Sequence, residues 1–91
     1  MQYLLFMTQS CKRCETSKQI IKDKNIPNLT LCFIDNSPGI AKANIYKVLK
    51  APTLVQINEA GDMLDRFDEV YLIDRKLQEL VDACTINNPL L

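Results

Sequence analysis

The sequence predicts an α/β domain: one mixed, four-stranded sheet flanked by helices, in the order β-α-β-α-β-β-α. Three observations carry this. Short apolar runs of strand length alternate with longer stretches free of Gly and Pro. The last two strand-like segments are joined by a tight turn, which marks a hairpin. The chain then closes on its clearest helical stripe, Ile73, Leu77, Leu80, Val81 and Cys84.

"YLLFM" (3–7) is a continuous apolar run, as expected of a strand buried on both faces. Residues 12–24, "KRCETSKQIIKDK", hold good helix formers and no breaker, with Cys14, Ser17, Ile20 and Ile21 turned inward. "NIPN" (25–28) ends that helix. "LTLCFID" (29–35) is a second strand, and "NSPG" (36–39) is turn chemistry. "IAKANIYKVLK" (40–50) reads as a short helix with Ile40, Ala41, Ile45, Val48 and Leu49 on its inner side. "APTLVQIN" (51–58) is a strand introduced by Pro52. "EAG" (59–61) turns the chain into its partner, "DMLDRF" (62–67). "TINNPLL" (85–91), with Pro89 and two asparagines, reads as a loose end. The domain is drawn at 1–85, with 86–91 as tail. Two strands joined by a helix are parallel with a right-handed crossover, and the closing hairpin adds antiparallel strands.

Ninety-one residues make one small domain. Eleven basic and eleven acidic residues balance, which argues against a nucleic-acid binder. No apolar run approaches the roughly 20 residues that span a bilayer, so no membrane is expected. The opening "MQYLLFM" lacks the basic flank and cleavage site of a signal peptide. The expected compartment is the cytoplasm, where thiols stay reduced. Four cysteines there point to catalysis or metal binding and not to a disulfide framework. Histidine is absent, which removes Cys/His nucleophilic catalysis and His-containing zinc sites.

Cys11 and Cys14 sit at a strand–helix junction with Lys12 and Arg13 between them. The pair admits three readings: part of a metal site, two inert thiols, or a redox dithiol. A zinc site needs four ligands, commonly as two close pairs. Cys32 and Cys84 stand alone and read more simply as small core residues. Most Cys-x-x-Cys pairs in a β-α-β context are redox motifs, which favours the third reading. At a helix N-terminus the backbone N–H groups are unpaired and the dipole is positive. Both favour a thiolate at Cys11, and Lys12 and Arg13 act in the same direction. Cys11 is therefore expected to be more acidic than a free cysteine, whose pKa is about 8.5. Cys14, one turn on and more buried, is placed to attack Cys11 in a mixed disulfide and release the partner.

These residues carry a family likeness. "CKRC" between strand and helix resembles the active-site segment of thioredoxins and glutaredoxins. "YKVLKAPTLVQINEAGDML" (46–64) is similar to the thioredoxin stretch bearing the cis-proline, and "FIDNSPGIA" (33–41) to the strand end before it. The likeness spans residues 3 to about 84 and matches the small glutaredoxin-like thioredoxins, or redoxins. It implies the thioredoxin fold and a monomer that reduces protein disulfides by dithiol exchange. Cys11 is then the nucleophile and Cys14 the resolving thiol. Ala51, Pro52 and Thr53 then shape the groove that docks the substrate, while Lys12 and Arg13, by their charge, are expected to tune the thiolate and select acidic partners. Pro52 is implied to be cis, presenting the backbone of Ala51 to a substrate strand. No cofactor is implied beyond the Cys11–Cys14 disulfide. The alternative is a non-catalytic redox-sensing or protein-binding module on the same fold.

The departures matter. There is no Trp-Cys-Gly-Pro-Cys. The family's buried acid six residues before the first cysteine is Leu5 here, and its lysine partner is Leu31. The proton of the resolving thiol is then left to water, Lys18 or Glu15. Glutaredoxins hold glutathione with a lysine before the active site, a Thr-Val-Pro segment and a Gly-Gly after the last strand. This chain has "MTQS", "KAP" and "FDEVY" instead. Asp68 and Glu69 there would repel a glutathione carboxylate. A reductase such as thioredoxin reductase is thus the expected electron donor over glutathione.

Overall fold

The computed structural model describes residues 1–22, 24 and 26–87, with side chains described through Ala83. Its elements are β1 (Gln2–Met7), a 3-10 turn (Lys12–Cys14), α1 (Glu15–Ile21), β2 (Leu29–Phe33), α2 (Ser37–Ile45), β3 (Thr53–Ile57), β4 (Met63–Phe67) and α3 (Val70–Asn87). The sheet order is β2-β1-β3-β4. β1 runs parallel to β2 and antiparallel to β3, and β4 is antiparallel to β3.

β1 explains its own apolar run. Tyr3 through Met7 are all buried, and successive side chains point to opposite faces. Tyr3, Leu5 and Met7 join Cys14, Leu54, Ile73 and Leu77 in one core, which α1 and α3 cover. Leu4 and Phe6 join Cys32, Ala43, Val48, Val55 and Ile57 in a second core on the other face, under α2. Fully burying a side chain such as Leu5 or Phe6 contributes about 1.5–3 kcal/mol. One central strand therefore serves two cores.

Several boundaries differ from expectation. The helix expected over 12–24 is a 3-10 turn followed by a seven-residue α-helix, which stops where Lys22 turns extended. β2 ends at Phe33, because the amide of Asn36 turns back to the Phe33 carbonyl. α2 begins at Ser37, inside the stretch read as a turn. Asn36 is its N-cap, and its side-chain oxygen accepts from the Gly39 amide at 3.1 Å. The buried residues of α2 are Gly39 and Ala43. Ile40 and Ile45, expected inside, are 46 % and 68 % exposed, and Leu49 is 93 % exposed. The reason is proximity. A Cβ on Gly39 would lie 1.6 Å from the Phe33 carbonyl oxygen, so only small residues can face β2 there. Val48 is buried as expected.

The β3–β4 hairpin turns through Gly61, whose φ of +89° suits glycine. In α3, Ile73, Leu77 and Val81 are buried and Leu80 packs at the margin. The side chain of Cys84 lies outside the described residues. α3 continues to Asn87, three residues into the stretch expected to be loose, and 88–91 also lie outside the described residues. Among the described residues no helix is long and apolar enough to cross a membrane.

Candidate redox site

β1 delivers the chain to the cysteines through the loop Thr8–Ser10. That loop is braced from two sides. The Gln9 amide donates to Asp35 Oδ2 at 3.0 Å. Lys18 Nζ, from α1, donates to the carbonyls of Thr8 and Gln9 at 3.3 and 3.2 Å. Cys11 follows in extended conformation and caps the 3-10 turn, and the Cys14 amide donates to the Cys11 carbonyl at 3.3 Å. The turn brings the two Cα atoms to 5.2 Å, and the sulfurs are joined as a disulfide.

The two cysteines differ in access. Cys11 is half-buried and Cys14 is 0 % exposed. An incoming group meets Cys11 first. Lys12 and Arg13 are exposed and make no ion pair among the described residues. Because the first turn is 3-10 and α1 is short, fewer aligned peptide dipoles stand behind Cys11 than the expected helix would supply.

Antiparallel pairing brings the start of β3 beside the end of β1, with Thr53 opposite Phe6. This sets Ala51 and Pro52 at the cysteine end of the sheet. The Ala51–Pro52 peptide bond is cis. Ala51 is half-buried, and both it and Cys11 pack against the core that contains Cys14. Pro52 and Thr53 are fully buried. The Thr53 hydroxyl donates to the Lys50 carbonyl at 2.9 Å, so Thr53 holds the loop from behind.

The two absent family residues leave apolar ground. Leu5 is fully buried in the core of Cys14, and its neighbour across the ladder, Leu31, is 43 % exposed. Of the side chains considered for proton transfer, Lys18 is occupied as a donor and Glu15 is exposed. A polar pair escaped the sequence reading. The Ser17 hydroxyl, fully buried, donates to Asp74 Oδ1 of α3 at 2.6 Å. The spacing puts Ser17 on the inward face of its helix, but nothing in that spacing points to a partner 57 residues away. Asp68, beside the start of α3, is paired with Arg66 at 3.3 Å.

Cys32 belongs to the other core, with the sheet between it and the Cys11–Cys14 pair. Burial pushes its thiol above the ordinary range, and Lys42 pulls it partly back.

No family model matches this chain, and no curated protein does. Solved structures do. Thioredoxin 1 of Thermosipho africanus superposes with a TM-score of 0.61 at 17 % identity, covering 97 % of this chain and 99 % of that one. A thioredoxin from Thermus thermophilus gives 0.61 at 21 % identity, covering 90 % and 72 %. A thioredoxin from Trypanosoma brucei brucei gives 0.59 at 21 % identity, covering 89 % and 74 %. At these identities the shared property is the fold: the chain has the thioredoxin fold, with a close cysteine pair of Cys-x-x-Cys spacing.

Proposed function

We propose that this chain is a thiol–disulfide oxidoreductase that reduces protein disulfides. The observation carrying this reading is the asymmetry of the joined pair: an accessible Cys11 and a buried Cys14 beside Ala51. Reduced Cys11, as thiolate, attacks one sulfur of a partner disulfide, and the partner's other sulfur leaves with the bonding electrons. Cys14 then attacks Cys11, and the second partner sulfur leaves in turn. The partner gains two electrons and becomes a dithiol, while Cys11 and Cys14 become the disulfide.

The backbone of Ala51 pairs with the partner's extended chain, and Pro52 and Thr53 fix its position. Lys12 and Arg13 favour the Cys11 thiolate and attract acidic partners. No cofactor is needed beyond the cysteine pair. A reductase such as thioredoxin reductase, and not glutathione, returns the pair to the dithiol. We place the protein in the cytoplasm as a monomer.

The test is reduction of insulin disulfides driven by dithiothreitol. Wild-type protein accelerates it, and Cys11→Ser brings the rate to that of dithiothreitol alone. Full activity in Cys11→Ser sinks the proposal. Capture of a partner by Cys14→Ser without turnover by the wild type points to the non-catalytic module. Mixing oxidised protein with glutathione, or with thioredoxin reductase and NADPH, identifies the donor. Fast reduction by glutathione removes that part of the reading.

A further inference from the structure

Cys14 has no exposed surface, yet to attack Cys11 its sulfur must give up a proton, because the thiolate is the nucleophile. It lies in the core formed by Tyr3, Leu5, Met7, Leu54, Ile73 and Leu77. The Lys18 ammonium already donates to two carbonyls and has no lone pair to accept with. Glu15 is exposed. The buried polar side chains among the described residues are Ser17 and Thr53. Thr53 alternates with Leu54 along β3, so it faces away from Cys14. Ser17 remains. It lies three residues beyond Cys14, one turn on along the same inward face, and is equally buried. Its proton is directed at Asp74 Oδ1, 2.6 Å away, and a hydroxyl that donates keeps lone pairs free to accept. Asp74 is half-buried, so it connects this pocket to solvent.

We propose that Ser17 and Asp74 form the proton exit of the resolving thiol Cys14. The inference rests on the oxidoreductase reading above. As the Cys14 sulfur bonds to that of Cys11, its proton passes to Ser17 Oγ, and the Ser17 proton passes to Asp74 Oδ1. The electron pair of the broken bond leaves on the partner sulfur. Asp74 returns its proton to solvent, where the partner thiolate regains one. The charged residues nearest in sequence on the two helices are Glu15 and Lys18 of α1 and Arg75 and Lys76 of α3; Lys18 donates to the Thr8 and Gln9 carbonyls, and Lys76 lies over the Tyr3 ring at 5.8 Å. Ser17 and Asp74 are positioning and proton-transfer residues and touch no substrate.

The test uses 5,5′-dithiobis(2-nitrobenzoate) on the fully reduced full-length chain in stopped flow. Attack by Cys11 releases a first thionitrobenzoate, and resolution by Cys14 releases a second. Ser17→Ala and Asp74→Asn should leave the first release unchanged and slow the second by about a hundredfold near pH 6, the lower end of general-base effects. The gap should narrow as pH rises, because hydroxide then competes as the acceptor of the thiol proton. Asp74→Glu should restore most of the rate. An unchanged second release overturns the proposal. So does a slowing equal at every pH, or one that also affects the first release, since either marks loosened packing of α1 on α3. If one variant fails to fold by circular dichroism, the other and Asp74→Glu decide. Insulin reduction by the wild type, run alongside, reports on the oxidoreductase reading separately.

Discussion

Gly39 occupies a point where no side chain fits. A Cβ there meets the Phe33 carbonyl carbon at 2.3 Å as well as its oxygen, and both atoms belong to backbone that cannot rotate away. Gly39→Ala must therefore push α2 off β2. Overpacking of this kind costs about 1–3 kcal/mol. For a domain of this size each kcal/mol lowers the melting temperature by about 4–8 °C. Thermal unfolding of Gly39→Ala checks this, and an unchanged midpoint would contradict the close approach. The same residues show why "NSPG" misled. Asn, an early Pro and Gly are turn residues, but Asn is also a good N-cap and Pro is tolerated in the first helical turn. Local chemistry alone does not separate a turn from a helix start. What decides here is that the helix lies against β2, which residue type does not encode.

At the scale of elements, the strands were legible and the helix faces less so. "YLLFM" and "APTLVQIN" announce strands because they are buried through the sheet, and burial of a strand leaves a mark in every residue. A helix marks only the face it buries. In α2 that face is Gly39 and Ala43, small residues that carry no hydrophobic signal, while Ile45 points to solvent. Ala43→Leu is accordingly expected to destabilise by about 1–3 kcal/mol through overpacking. Ile45→Lys should change stability by no more than about 0.5 kcal/mol, as exposed substitutions do. Urea unfolding of the two variants measures both, and the reverse order would restore the face expected from apolar spacing. The site divides in the same way. Cys11, Cys14 and Pro52 were visible because each lies in a short motif. The Ser17–Asp74 bond joins two helices far apart in sequence and leaves no local pattern. The 3-10 start of the first helix was equally hidden, since 3-10 and α turns are built from the same residues.

Seen as a whole, the sheet separates the cysteines into two cores. Cys14 belongs to the core of α1 and α3, and Cys11 and Ala51 both pack against it. Cys32 is sealed in the core of α2. Its thiol is held neutral, with burial raising it above the ordinary range and Lys42 opposing in part. The sign of the consequence follows from proton counting. The unfolded chain releases the Cys32 proton at a lower pH than the folded one. Between those two points the folded state binds more protons, so stability falls as pH rises. The contribution is complete below the unfolded thiol value, about 8.5, and is lost as pH climbs through the raised folded value. With Cys11 and Cys14 oxidised, neither titrates. Replacing Cys32 with valine keeps an apolar side chain of similar size and removes the proton. The melting curves of wild type and Cys32→Val should therefore keep a constant separation from about pH 6 to 8 and then shift in favour of the variant above about pH 8.5. Curves that stay parallel to pH 10 would mean that the thiol ionises equally in both states, and that the α2 core does not shield it.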